Sequence, residues 1–400
     1  MNGVETRIDI KGVIGMADFG FNESHEDLRR AAREFAEKGL KPEAKERATS
    51  HRIPDWMIKQ IKDLGYIGMI ADEKYGGQGM DMMSVGIVVE EFGKVDISAA
   101  HVVLIPTQFC ALLQSGTEEQ RQQWIPELCQ GELMPSLAIT EPGCGTDAAA
   151  IEMRAVRDDE YYILDGEKAP VTRGMQSNAL IVWAKTDHKA GARGVTCFFV
   201  PSDSQGVSME EIPYAGLIPL NCATVFFDSV KVPVSYRIGE EGKGFYMLMD
   251  RFDVVRVLLT LVALGQAQTS LNEVIAYTKS RTAFGRPIAR YEGISFKIAE
   301  AATKIEAARL LCYRALWMRD QGVKHSKESA MCKWYAPTVA FDVIHDCILM
   351  MGHYGYSTEY PLTQRMLDVM GYQIADGTAE AQKLIIVRDM LGRRFLPYAG

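Results

Sequence analysis

The run Gly371-Tyr372-Gln373-Ile374-Ala375-Asp376-Gly377-Thr378-Ala379-Glu380 sets one carboxylate, Asp376, just ahead of a Gly-Thr turn and a strongly apolar helix. A carboxylate at the mouth of a helix amino terminus lies beside free N–H groups and the positive end of the helix dipole. That setting suits base chemistry on a bound ester or phosphate-bearing cofactor. Taken alone, the run also reads as an ordinary turn and cap. None of the seven histidines pairs at metal-ligand spacing, so no metal site is expected. No G-x-G-x-x-G follows a strand. Gly239-Glu240-Glu241-Gly242-Lys243-Gly244 and Gly76-Gly77-Gln78-Gly79 lack that spacing and context, and read as loop turns.

The elements that must position Asp376 fall into three zones after an amino-terminal segment, residues 1–16, expected to be mobile. Residues 17–135 are helical in pattern: Leu28, Ala31, Ala32 and Phe35 recur three to four apart, and Pro54-Asp55 opens a helix that Gly65 closes. Residues 136–244 carry short β-branched and aromatic runs, Tyr161–Leu164, Ala179–Trp183, Val195–Val200 and Thr224–Phe227, separated by turn residues. This zone predicts a β domain. Residues 245–400 are helical again, and Ile298, Ala301, Ile305, Ala308, Cys312 and Ala315 form a narrow stripe that lets another helix approach. The expected fold is therefore mostly α with a central β domain.

Composition agrees with a globular protein of two or three domains: 400 residues, 47% hydrophobic and 24% charged. A formal charge of −8 argues against a nucleic-acid partner, and no apolar stretch reaches the length of a membrane span. The eight cysteines show no paired spacing and read as free thiols of a reducing compartment. Segment 1–15 has the features of neither a secretory signal nor an Arg-rich transit peptide.

Two further runs, Ala138-Ile139-Thr140-Glu141-Pro142-Gly143-Cys144-Gly145-Thr146-Asp147 and Arg281-Thr282-Ala283-Phe284-Gly285-Arg286-Pro287-Ile288, join the one around Asp376. In this order and at this separation the three runs resemble the acyl-CoA dehydrogenase family, and the resemblance extends from about Phe19 onward. It implies a helical N-domain, a β-barrel-like middle domain and a C-terminal four-helix bundle. It also implies FAD, an acyl-CoA substrate, electron-transferring flavoprotein as partner and a homotetramer. The implied setting is the bacterial cytoplasm or the mitochondrial matrix. An acceptor for hydride is obligatory in such chemistry, because no side chain takes hydride reversibly.

Carried over by position, Thr140 and Thr172 would meet the flavin ring. Arg281 would reach the diphosphate of the adjacent subunit's cofactor with Phe284 packed beside it. Thr378 would bind a cofactor phosphate with Glu380 near it, and Thr146 would lie between cofactor and substrate. Thr146, Asp147, Asp253, Arg256, Ala375 and Gly377 are the implied substrate contacts, Asp253 and Arg256 on the CoA arm. Arg256 reads equally as a surface ion pair with Asp253 or Asp250.

Departures from the family pattern are specific. The usual base is Glu, and here it is Asp376. The alternative base position, just before Arg256, holds the apolar Val255. Ala375 stands where a Tyr commonly lines the pocket, Pro170 where an aromatic residue stacks near the flavin, and Arg173 where an amide is expected. A shortened base and a missing ring imply space for a bulky acyl group, α-branched or cyclic, with cyclohexanecarboxyl-CoA as the leading example. The mechanism implied is α-proton abstraction by Asp376 with hydride transfer from the β carbon to flavin. Two other readings stand beside it: a nitroalkane-oxidase-like flavin oxidase, and a non-catalytic flavin-binding relative. His101, with Thr107 and Gln108, reads as a core residue or as a polar group in the acyl pocket.

Overall fold

The structure, a computed structural model, describes residues 21–396, so segment 1–16 lies outside the described residues. Among the described residues, five helices of nine residues or more come first: α1 (Glu23–Phe35), α2 (Asp55–Asp63), α3 (Met82–Gly93), α4 (Ile97–Leu113) and α5 (Glu118–Cys129). Reciprocal side-chain caps start α1 (Asn22 with His25) and α5 (Thr117 with Gln120). Pro54 precedes α2, and Gly65, at φ +79°, turns the chain away from it. Every residue of α3 is buried, including Glu90 and Glu91, which pair with Arg309 and Arg33, and it lies between α1, α6 and α7.

Eight strands follow: β1 (Pro135–Ala138), β2 (Arg154–Asp158), β3 (Tyr161–Val171), β4 (Ala179–Lys185), β5 (Val195–Pro201), β6 (Val207–Glu211), β7 (Ala223–Pro233) and β8 (Arg237–Ile238). They form one sheet in the order β6-β7-β3-β2-β4-β5-β8, with β1 parallel to β4. All four predicted apolar runs lie in strands. β4 is buried at each of its seven positions, which explains why its sequence runs apolar without alternation. Its Ala179, Ile181 and Trp183 join the helical core, while Leu180, Val182 and Ala184 face a second core within the sheet domain. Trp183 Nε1 donates to the Gly244 carbonyl at 2.9 Å, fixing the sheet to the next helix.

The chain ends in α6 (Gly244–Ser280), α7 (Glu292–Asp320), α8 (Ser326–Met351), α9 (Leu362–Ile374) and α10 (Ala379–Leu391). In α7, Ala301, Ile305, Ala308, Cys312 and Ala315 are buried, so the predicted stripe is the packing face. Gly265 of α6 lies where a Cβ would come 2.7 Å from the Glu90 carbonyl oxygen, so only glycine lets α3 pack this closely. All eight cysteines are unpaired. Among the described residues no helix is long and apolar enough to cross a membrane.

One buried carboxylate ties the sheet domain to α9. Asp368 accepts from the Leu217 N–H at 2.6 Å and from Gln364 Nε2 at 2.9 Å. Burial pushes its carboxyl up to about 6, against the pull of these hydrogen bonds, from an ordinary 3.8. Between those values the folded chain binds the proton more readily than the unfolded one. The stability it contributes is therefore complete below the lower value and lost as pH rises through the upper one. Asp368→Asn abolishes this term. The Tm of the variant relative to the parent should rise with pH across that window, and a flat difference in thermal melts would refute the assignment.

Candidate active site

A cavity of roughly 170 Å3 opens where α4, the ends of β1 and β3, α6 and the turn after α9 converge. It brings together Thr140, Thr172, Ala375 and Asp376, and adds His101, Gln108, Arg251 and Tyr372. Asp376 lies on the turn between α9 and α10 at φ +54°, followed by Gly377 at φ +100°. Asp tolerates this left-handed backbone better than most residues. Thr378 then caps α10, its hydroxyl accepting from the Ala381 N–H at 3.4 Å.

Side chains beneath the turn satisfy the carbonyls that the end of α9 leaves without helical partners. Lys333 Nζ, from α8, donates to the Tyr372 carbonyl at 2.7 Å and the Gly377 carbonyl at 3.1 Å. Arg256 Nε donates to the carbonyl of Asp376 itself at 3.0 Å. Burial pulls Lys333 down to about 8 even though Asp376 opposes that shift. Burial likewise lowers Arg251 and Arg256, with Asp376 the main opposing charge for each. The Asp376 turn is thus gripped by cations from two helices while its carboxylate faces the cavity.

His101 and Tyr372 form one wall. His101 Nε2 and the Tyr372 hydroxyl are 3.0 Å apart, and the rings lie nearly parallel at 6°. Burial pushes His101 down to about 3, with the Arg173 charge adding to the effect, so the imidazole is neutral at physiological pH. Both sequence readings of His101 therefore apply: it is a satisfied buried histidine and it lines the pocket. Tyr372 supplies a ring to this wall although Ala375 has none.

The opposite wall presents hydroxyls. Thr140 and Thr172 line it with Ser136, whose Oγ is buried without a partner. An unpaired buried hydroxyl flanked by two threonines beside a cleft fits the edge of a flat, polar heterocycle better than an apolar ligand. Among the described residues no cluster of His, Cys, Asp or Glu could hold a metal ion.

Comparison with known proteins decides the family. The signatures of the acyl-CoA dehydrogenase N-terminal, middle and C-terminal domains match residues 22–132, 136–230 and 242–391. The chain belongs to the acyl-CoA dehydrogenase family. It is 35% identical to the 3-(aryl)acrylate reductase of Clostridium sporogenes over 93% of this chain and 99% of that one. It is also 35% identical to the caffeyl-CoA reductase-Etf complex subunit CarC of Acetobacterium woodii, over 92% and 98%. The butyryl-CoA dehydrogenase structure from Megasphaera elsdenii superposes with a TM-score of 0.90 at 33% identity, covering 94% of this chain and all of that one. The protein is an oxidoreductase acting on CH–CH bonds, and its cofactor is FAD. The cavity's hydroxyl wall fits that group.

The remaining residues implied by the family resemblance lie outside the cavity lining. Thr146 and Asp147 are exposed in the loop after β1. Arg281 and Phe284 lie in the hairpin after α6, where Phe284 is 96% exposed. Glu380 is exposed on the first turn of α10, 3.6 Å from Lys383. Arg256 is 3.9 Å from Asp253, which accepts from the Ser326 hydroxyl, whereas Asp250 pairs with Arg319 at 3.0 Å. Sequence reasoning did not single out Arg251, Tyr372, Lys333 or Ser136. Of these, the two cations carried a readable signal: each interrupts an otherwise apolar helix face.

Proposed function

We propose that this acyl-CoA dehydrogenase removes two hydrogens across the α and β carbons of a compact acyl-CoA, with Asp376 as the base. One observation carries the reading: Asp376 is the single carboxylate lining the cavity that also holds Thr140 and Thr172. FAD, when bound, supplies the acceptor for the β hydride. Asp376 takes the α proton, and its backbone N–H hydrogen-bonds the thioester carbonyl, lowering the α-proton pKa. Thr140 and Thr172 hold the ring in register with the acyl group. Arg256 and Asp253 serve the CoA arm from the helix beneath.

The shortened base and Ala375 favour breadth at the α carbon, as in a branched or cyclic acyl group such as cyclohexanecarboxyl-CoA. Electrons then leave through an electron-transferring flavoprotein, in line with the Acetobacterium woodii relative, a subunit of a reductase–Etf complex. The exposed Phe284, with Arg281, is the surface through which a second subunit completes the cofactor site of a homotetramer.

Anaerobic titration of the holoprotein tests the reading. Cyclohexanecarboxyl- and 2-methylbutyryl-CoA should bleach the flavin faster than octanoyl-CoA does. If octanoyl-CoA reacts fastest, the compact-acyl reading fails.

A further inference from the structure

Arg251 is the feature of the cavity that dehydrogenation of a plain acyl chain leaves without a purpose. It is 5% exposed, lines the cavity from α6, and forms one direct hydrogen bond, Nη1 to Gln108 Oε1 at 3.0 Å. Its Nη2 is 3.8 Å from Asp376 Oδ1, too far for a hydrogen bond, and its Nε is buried without a partner. A second guanidinium, Arg173, follows cavity-lining Thr172 in sequence. It is 1% exposed, with Nε and Nη1 both unpartnered. The only carboxylate facing this charge in the cavity is the base itself.

That arrangement conflicts with the reaction. When Asp376 accepts the α proton it becomes neutral and the negative charge passes with the electron pair through the substrate toward the acceptor, so Arg251 loses the counter-charge nearest to it as the reaction proceeds. A substrate that brings its own anion removes the conflict, because a carboxylate in the cavity can take the Nη2 donor, which hydrogen-bonds no group of the protein.

We propose that the acyl group of the substrate itself ends in a carboxylate, held by Arg251 with Gln108 as the residue that orients the guanidinium. The inference rests on Asp376 acting as the base of an acyl-CoA dehydrogenase. Because Arg251 reaches almost to Asp376, the carboxylate lies only a few bonds from the reacting carbons. The substrate class is a short dicarboxylic monothioester, from succinyl to adipoyl, with or without an α branch, which narrows the compact acyl group proposed above and replaces cyclohexanecarboxyl-CoA as its leading example. Arg251 would be a specificity-determining residue.

The test uses the FAD-loaded holoenzyme and matched thioesters, glutaryl-CoA against valeryl-CoA and 2-methylsuccinyl-CoA against 2-methylbutyryl-CoA, which exchange a carboxylate for a methyl group. Flavin bleaching should give kcat/KM at least about tenfold higher for the carboxylate of each pair. Arg251→Gln should collapse that ratio to one or below, and Arg251→Lys should keep part of it. Equal or faster reaction of the methyl compounds in the parent enzyme overturns the proposal, whether or not the variants fold. So does an equal loss on both compounds in Arg251→Gln, which would make Arg251 a general stabiliser of developing negative charge. Calorimetric binding to the Asp376→Asn protein separates this inference from the reading beneath it. If no thioester bleaches the parent enzyme, the dehydrogenation reading fails. Tighter binding of glutaryl-CoA than of valeryl-CoA would then still uphold the carboxylate site, and equal binding would sink it.

Discussion

Asp376→Asn should slow flavin bleaching by a reactive acyl-CoA about a thousandfold, the scale of a lost general base. The amide has the shape of the carboxylate, and Asn tolerates the left-handed backbone at this position as Asp does. The turn should keep its form, the FAD absorbance should be retained, and Tm should move little. Only the proton acceptor is lost. Stopped-flow measurement under anaerobic conditions gives the rate directly, and a variant that bleaches like the parent would remove Asp376 from the mechanism. Asp376→Glu should fall between the two: the carboxylate is present, but it reaches further and stands on a backbone less suited to a longer side chain.

Lys333→Met should have the second largest effect, although Lys333 does not line the cavity. The substitution leaves the buried carbonyl of Tyr372 without its donor, at a cost of about 1–3 kcal/mol, and leaves the Gly377 carbonyl with Gln382 Nε2 alone at 3.2 Å, partly offset by removal of a buried charge. The larger consequence is positional. With one grip gone, the Asp376 turn can shift, and a displacement near 1 Å costs about a hundredfold in rate. kcat should fall by that factor while KM for the acyl-CoA changes little. A purely structural lysine would lower Tm without splitting the two constants.

The pH dependence gives a further check on Lys333. The ammonium is held near 8 in the folded chain against an ordinary 10.5, so between those values the unfolded chain binds more protons. Stability of the parent relative to Lys333→Met should therefore rise as pH climbs through that window, and a difference that stays constant would refute the burial of a charged amine there.

Much of this architecture is legible in the sequence because its signals are local. Turn residues bracket every predicted strand run, and Pro54 and Gly65 mark both ends of α2. The Asp376-Gly377-Thr378 turn is readable for the same reason: one residue accepts positive φ, the next requires it, and the third caps a helix. The partners of that turn are not readable in this way. Lys333 lies 43 residues before Asp376, and Arg251 lies 125 before it, so their contacts depend on how α6, α8 and α9 pack. Each does leave a trace. Arg251 shares a face with Val255 and Leu259, and Lys333 shares one with Ala330, Ala336 and Ala340, both faces being otherwise apolar and buried. A charge on such a face needs a partner from elsewhere in the fold, and only the structure identifies it. Thr146, Asp147, Arg281 and Phe284 are exposed, so no packing within this chain ties them to the cavity.

The two-sided burial of β4 bears on how the molecule can be divided. Cutting the chain at the borders of the sheet region would uncover Ile181, Trp183 and Phe199, which are covered by helices from both ends of the sequence. A fragment containing the strands alone would present a broad greasy plane to water and should precipitate or cling to other copies. The region that looks most like a separable module is therefore the one least able to stand by itself, and the three segments should melt as one cooperative body.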